Sequence, residues 1–537
     1  MGKLDDRRRR IAAGLFFGIL LLLGPLLVRD YGMGWDERAD RMVGYMSLRY
    51  VAQVLAPQVL AAGHFTNIHE LATHGDADHG PVFQMLLAVL EIAFFRHDPR
   101  GAGWMRHLLT FGVFVAGAWA VYRLGRARFT SWRWGLVGAG LLVLSPRIFA
   151  EAFYNYKDIV FMSLFALAVL TLGRLLHRPT ARGALGHALV CALATDVRTM
   201  GILLPGLTVA FGGLEMWARP ARRAALTRAL GWYLGALAPL VVLFWPFLWE
   251  APVARFWECF GSFRRYRQTM NVFYLGELTS CQRLPWHYLP VWLLVTTPVT
   301  HTALALSGAW AVLRGLLARP TAWLRHTTNR QDLLFGAWLL GPLVVIVAIK
   351  SVVYDGWRHV YFIYPAFVLL AVRGLRAGVQ AWQAAPAASG GRRLGWLAGG
   401  LLVLGGVHTL VRQVHDHPYQ YGYFSFLPGS VAQRLFERDY WGVSGRDGLA
   451  WVLAHDPGAT VAVSDTLSQQ IALRNNSLLL PAAQRARLRF VPHAQARYFL
   501  GIYRWHPGPY EPPFGTPVHD IRVNGMTILT IFQRAAN

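Results

Sequence analysis

Only three cysteines occur in 537 residues, and none stands with histidine at zinc-ligand spacing, so a structural zinc module is not expected. Cys191 lies in an apolar run. Cys259 and Cys281 share one polar loop, where a disulfide and two free thiols are equally open. No stretch has the glycines and strand context of a P-loop or a dinucleotide-binding turn, which argues against a nucleotide site. There is no internal repeat. No small-residue cleavage site follows the first apolar run, so Ile11–Val28 is read as a retained span. Charge is scarce, at 15% of residues, and acid is scarcer: 28 Asp and Glu stand against 53 Lys and Arg, a net charge of +25. Nucleic acid is one partner for such an excess. Here, however, the basic residues interrupt apolar runs instead of forming a polar patch, and no nucleic-acid partner is expected.

What the chain has in quantity is apolar surface: 54% hydrophobic residues, 21 Trp and a mean hydropathy of +0.33. This composition fits a multi-spanning α-helical membrane protein. Runs of roughly 17–25 apolar residues cross the hydrocarbon core as helices. Spans are expected near Ile11–Val28, Trp104–Leu124, Trp132–Ile148, Ile159–Gly173, Gly183–Thr195, Gly201–Trp217, Ala229–Trp249, Leu289–Leu313, Leu333–Ile349, Val360–Val372 and Leu394–Val411. That makes about eleven. The connections Arg123–Arg133, Arg174–Arg182, Arg219–Arg228, Arg314–Arg330 and Arg373–Arg393 are basic without acid, and fall on the side of Arg7–Arg10 when the spans are counted this way. The positive-inside rule makes that side cytoplasmic and puts Asp36, Glu37, Asp76, Asp78, Glu151, Asp158, Glu250, Glu277 and Asp355 at or near the outer face.

The long first outer connection, residues 29–103, holds two amphipathic stretches, Asp40–Leu60 and Pro81–Phe95, expected as helices in the membrane interface. Between them lies the polar loop His74–Pro81, and a second outer loop runs over Glu250–His287. After Val411 the composition becomes that of a soluble domain. Thr460–Ser464 reads as a strand, and Asn524-Gly525 between Ile521–Val523 and Met526–Phe532 as a hairpin. Residues 1–411 are therefore expected to form the membrane module, and 412–537 a small α/β domain on the outer face.

Four stretches carry chemistry. In YGMGWDERAD, Tyr31–Asp40, the adjacent carboxylates Asp36 and Glu37 follow the first span; their alternative role is to cap the helix beginning near Arg38. In SPRIFAEAFYNYKD, Ser145–Asp158, Pro146 breaks or kinks the third span, while Lys157 is expected to meet an anion with Asp158 orienting it; an interfacial anchor pair is their structural alternative. TDVRTM puts Arg198 on the outer side against the positive-inside trend; pairing with Asp196 is its structural alternative. YDGWRHVYFIYP, Tyr354–Pro365, sets Arg358 and His359 beside aromatics, with Asp355 in the same turn. The planar fork of arginine suits phosphate oxygens. Cations from different spans on one face point to a phosphate whose other end stays in the bilayer.

These segments, with LPWHYLPVWLLVTTP and HPYQYGYF (His417–Phe424), resemble GT-C glycosyltransferases, the group of protein O-mannosyltransferases and the lipid A aminoarabinose transferase. The resemblance covers about Met1–Val411 and the start of the tail. It implies a polyprenyl-phosphate-sugar donor, inversion at the anomeric centre, and a bacterial cytoplasmic membrane location with the N-terminus inside. It also makes Asp36 the catalytic base and Glu37 the second acid of the pair. Arg358, His359, Lys157 and Arg198 are expected on the donor phosphate, supported by Asp158 and Asp355. Metal use varies within the group, so no metal or other cofactor is carried over. The acceptor is left open among protein, glycolipid and polysaccharide. Two other functions compete: a transporter or flippase of lipid-linked sugars, which would show repeats or broken helices in matching halves, and a non-catalytic component of envelope assembly.

Overall fold

The computed structural model describes residues 2–61, 65, 68–71, 76–264, 270–387, 389–465, 470–504, 506–510 and 514–534. Residues 74 and 75 of the His74–Pro81 loop and 265–269 of the second outer loop lie outside the described residues. In chain order, α1 (Gly2–Leu27) is followed by α2 (Glu37–Leu55), α3 (Gln58–Ala61) and α4 (Val82–Phe94) within the first long connection. The bundle continues with α5 (Pro99–Phe129), α6 (Trp132–Val143), α7 (Pro146–Tyr154), α8 (Asp158–His177), α9 (Ala181–Val197), α10 (Leu203–Ala218) and α11 (Arg223–Phe244). After α12 (Pro252–Arg264) and the hairpin β1 (Asn271–Tyr274) and β2 (Glu277–Ser280) come α13 (Tyr288–Thr296), α14 (Val299–Ala318), α15 (Pro320–Arg325), α16 (Thr327–Ala348), α17 (Tyr364–Ala384) and α18 (Gly390–His415).

Local signals set several of these boundaries. Asp98 caps α5 by accepting from Gly101 N at 3.0 Å, with Pro99 in the first turn, where its missing N–H costs nothing. Pro146 opens α7 at a 72° bend from α6, so the third apolar run is divided into two helices.

Among the described residues, eight helices are long and apolar enough to cross a membrane, nine if the bent α6–α7 pair is one span. The expected count of about eleven is not reached on that measure, for two local reasons. The run at Gly183–Thr195 forms the 17-residue α9. The run at Leu289–Leu313 is divided at Thr297-Pro298 into α13 and α14. The protein is multi-pass, and α18 shows why: Leu394, Trp396, Leu397, Leu401 and Leu404 are exposed along it, a surface that lipid and not water would cover.

The basic connections gather at one end of the bundle. Arg128 grips Asp332 with Nε and Nη2 at 2.5 and 2.6 Å, Arg373 reaches the same carboxylate at 3.3 Å, and Arg330 meets Glu215 at 2.7 Å. Arg222 donates to Leu176 O at 3.3 Å, and Trp132 to Asp5 at 3.1 Å. The 20-residue α8 runs from Asp158 to His177, so its rise of about 30 Å separates this end from the one that carries Asp158.

Beyond α18 lie α19 (Gly429–Leu435), α20 (Gly445–His455), β3 (Val461–Asp465), α21 (Ile471–Ser477), α22 (Ala482–Ala486), β4 (Leu488–Phe490), β5 (Tyr498–Ile502), β6 (Thr516–Val523) and β7 (Met526–Gln533). The sheet order is β4-β3-β5-β7-β6, with β3 parallel to β4 and β5, and β7 antiparallel to β5 and β6. The β6–β7 turn is the expected Asn524-Gly525, with φ of 52° and 73°. The three cysteines are free and buried; Cys259 and Cys281 belong to different core clusters and are not bonded.

Candidate active site

The segment before Asp36 is clamped by the C-terminal domain. Asn476 receives Met33 N at 2.9 Å and donates to Met33 O at 3.1 Å, Asn475 donates to Gly34 O at 3.1 Å, and Trp35 N donates to Trp441 O at 2.9 Å. Tyr31 donates to Gln420 of the HPYQYGYF stretch at 3.2 Å, which gives that motif a place: it holds the first long connection. Gly80 lies so close to Asp196 that an added Cβ would stand 1.3 Å from its carbonyl oxygen, and Asp196 accepts from Val82 N at 2.7 Å. Only glycine permits that approach, which fastens the first long connection beside Arg198.

Asp36 occupies the N-cap position of α2 but makes no capping hydrogen bond. Its Oδ2 instead accepts from Arg358 Nη1 at 3.0 Å, and its side chain keeps 28% exposure. The same Nη1 stands 3.4 Å from Asp158, and Nη2 donates to Asp355 at 3.0 Å. The guanidinium also lies 4.9 Å from the Trp441 ring centre and 5.1 Å from that of Tyr354. Asp355 and Gly356 hold positive φ, 56° and 71°, a turn that directs the carboxylate back to Arg358; a non-glycine residue held there stores strain at the site.

The other expected cations join this group. Arg198 pairs with Asp158 and not with Asp196. Lys157 pairs with Asp40. Asp158 is further fixed by Asn155, whose Nδ2 donates to it at 3.1 Å and to the buried Glu151 at 2.8 Å. His359 is buried beside the Tyr354 ring, centroids 4.6 Å apart. Glu37 faces elsewhere: it meets the fully buried Arg106 at 2.9 Å, and Arg106 also reaches Gln84 at 2.5 Å and Glu91 at 3.6 Å. That cluster ties α2 to α4 and α5.

Two members have no local sequence signal. Arg504, just beyond β5, places Nη2 2.9 Å from both oxygens of Asp355, and its guanidinium lies 5.2 Å from the Trp35 ring centre. Asp40 partners Lys157. Among the described residues, ion pairs at the site join four carboxylates (Asp36, Asp40, Asp158, Asp355) to four cations (Lys157, Arg198, Arg358, Arg504). Burial pushes the Asp36 carboxyl up, but Arg358, Lys157 and Arg504 together outweigh it and hold Asp36 at about 2. For Asp40 burial prevails over Lys157, and its pKa is raised. Burial pushes Lys157 down, but Asp40 and Asp36 prevail and raise it. Among the described residues, no group of three or more His, Cys, Asp or Glu is arranged to hold a metal.

An apolar cleft of about 510 Å³ begins at Thr199, next to Arg198, and runs past Met200, Leu203, Val345 and Ile349 to Lys350. A cluster of ion-paired cations with such a cleft beside it can hold an anion attached to a hydrocarbon chain where that anion displaces one of the carboxylates.

No protein-family model matches the sequence, and no curated protein matches it. Among solved structures, ArnT from Cupriavidus metallidurans bound to undecaprenyl phosphate is similar over 97% of this chain and 98% of its own, at 13% identity and a TM-score of 0.50. The archaeal oligosaccharyltransferase AglB from Archaeoglobus fulgidus, in complex with an inhibitory peptide and a dolichol-phosphate, matches over 91% of this chain and 69% of its own, at 10% identity and a TM-score of 0.45. The full-length match to ArnT shows a shared fold, a multi-spanning helical membrane body with a small C-terminal α/β domain.

Proposed function

We propose that the chain is an inverting glycosyltransferase that moves one sugar from a polyprenyl monophosphate to an acceptor hydroxyl at the outer face of the bacterial cytoplasmic membrane. The observation that carries this reading is the contact between Arg358 and the partly exposed Asp36, 3.0 Å apart, beside an apolar cleft that starts next to Arg198. A phosphate clamp and a candidate base share one spot. The fold shared with ArnT, solved with undecaprenyl phosphate bound, supports the donor class. The gathering of basic connections at the far end of the bundle supports an outer location for the site.

In the reaction, the acceptor oxygen attacks the anomeric carbon from the face opposite the phosphate. The bond from that carbon to the phosphate oxygen breaks, its electrons leave with the lipid phosphate, and the acceptor proton passes to Asp36. The donor phosphate takes the place of Asp36 on Arg358. That exchange frees the carboxylate and removes the charge that keeps it a weak base. Arg198, Lys157 and His359 complete the phosphate site, while Asp158 and Asp355 orient Arg358. Glu37 acts through Arg106 as a positioning residue for α2. No cofactor enters this scheme. Lipid-linked sugar transport is the competing reading.

Purified protein given a polyprenyl-phosphate donor with radiolabelled sugar, plus candidate acceptors, tests the class. Sugar transfer with formation of free polyprenyl phosphate is expected. Movement of intact donor between leaflets without cleavage would establish transport instead.

A further inference from the structure

A second cleft, of about 390 Å³, lies at the basic end of the bundle, far from Asp36. Its walls come from the last two turns of α5, α8 and α10 and the first two turns of α16. The floor is apolar, formed by Leu124, Leu170, Phe211 and Leu334. Leu170 stands seven residues before the end of α8 at His177, which places the floor about 10 Å below the helix ends. The rim is cationic, with Arg174, His177 and Arg219, while Arg330 and Glu215 form the buried pair beneath it. Three guanidiniums, Arg174, Arg219 and Arg330, thus share one carboxylate, Glu215. Arg219 and Arg330 both meet it. Among the described residues Arg174 has no carboxylate partner; it is exposed, and its guanidinium lies 5.9 Å from the Trp119 ring centre.

The positive-inside rule explains arginines at this end, but not a cavity with a hydrocarbon floor beneath them. We propose that this cleft is a binding site for an anionic phospholipid of the inner leaflet, with the phosphodiester at Arg174 and Arg219 and the acyl chains over Leu170 and Phe211. The depth matches the distance from the phosphate to the upper acyl chain, and the excess positive charge selects anionic over zwitterionic head groups. Such a lipid would join the ends of α8, α10 and α16 that line the cleft.

Gly173 provides a test that keeps every charge. It lines the cleft, and a Cβ added there meets no atom within 4 Å, so Gly173→Leu would place its side chain in the cavity without straining the helix. The purified full chain in detergent would be titrated with phosphatidylglycerol, phosphatidylcholine or glycerol phosphate, reading bound lipid by native mass spectrometry and unfolding temperature in parallel. Wild type should retain one phosphatidylglycerol at concentrations where phosphatidylcholine is not held, with a higher unfolding temperature. Arg174→Gln should weaken that affinity about tenfold. Gly173→Leu, with its lipid-free unfolding temperature no lower than that of wild type, should lose the retained lipid. Retention by Gly173→Leu equal to wild type would show only attraction to a basic surface and overturn the site. Equal retention of phosphatidylcholine, or equal stabilisation by glycerol phosphate, would overturn the anionic-lipid assignment.

Discussion

Replacing Arg358 separates a phosphate clamp from a structural ion pair. Its two terminal nitrogens work in different directions: Nη1 meets Asp36 at 3.0 Å and Asp158 at 3.4 Å, and Nη2 meets Asp355 at 3.0 Å. A phosphate that replaces Asp36 on this fork is held by a planar donor whose other arm is already fixed. Arg358→Lys keeps the charge but cannot span both directions. The loss of one charge-assisted hydrogen bond, ~1.5–3 kcal/mol, corresponds to roughly 10- to 150-fold in donor kcat/KM. Arg358→Ala loses that bond together with the charge, so a loss at the upper end of that range, on the order of 150-fold, is expected. The alanine change also leaves the buried Asp158 and Asp355, among the described residues, with Arg198 and Arg504 as their cationic partners, and breaking a buried pair costs about 3–5 kcal/mol of stability. Folded protein must therefore be quantified first by thermal unfolding. Transfer would then be measured against donor concentration for wild type and both variants. Equal kinetics for Arg358→Lys and wild type would refute the need for a planar fork that spans Asp355 and the phosphate, and unchanged kinetics in folded Arg358→Ala would remove Arg358 from donor recognition.

Arg504→Gln should lower donor affinity about tenfold without touching the donor, because Asp355 loses the partner that faces it opposite Arg358; an unchanged donor KM would make this contact merely interdomain. Glu37→Gln should lower the unfolding temperature, at a cost of up to about 3–5 kcal/mol, by unbalancing the buried Arg106 cluster. A large fall in kcat at full stability would instead assign Glu37 to chemistry. The pH profile follows from Asp36, whose folded pKa is depressed to about 2. Its ion pairs contribute stability present above the unfolded value of ~3.9 and lost as pH falls towards 2. In the free enzyme Asp36 is ionised throughout the working range, so kcat/KM should show no acid limb from it above about pH 5. Bound phosphate takes Arg358 and adds negative charge, so the acid limb of kcat should lie at higher pH. Coincident limbs would contradict the exchange on Arg358.

The features legible in the sequence were those written locally. Apolar runs gave most of the membrane helices, Pro146 gave the break before α7, and Asn524-Gly525 gave the terminal hairpin. Arg358 stood out because a guanidinium in an aromatic, glycine-containing turn has no use as a membrane anchor. Arg198 did so because it runs against the charge bias; the structure then gave it Asp158 in place of the adjacent Asp196. Arg504 was not legible. It sits 149 residues from Asp355 in an irregular segment, and only the docking of the C-terminal domain brings the two together. Glu37 could not be told from Asp36 for a different reason. Adjacent helix residues point about 100° apart, and which one faces the site depended on Arg106 waiting on α5. The length of α9 and the break between α13 and α14 were likewise invisible to a count of apolar residues.

Asp36→Asn tests the central assignment most directly. Asparagine is nearly isosteric and cannot take the acceptor proton, and it also removes the carboxylate that competes with phosphate for Arg358. Donor binding and transfer would be measured on the same preparation, by equilibrium binding of labelled polyprenyl-phosphate sugar and by single-turnover transfer. The expected result is donor affinity equal to or tighter than wild type, with transfer slowed ~10²–10⁴-fold. Near-wild-type transfer by Asp36→Asn, or donor binding lost in step with transfer, would contradict Asp36 as the base.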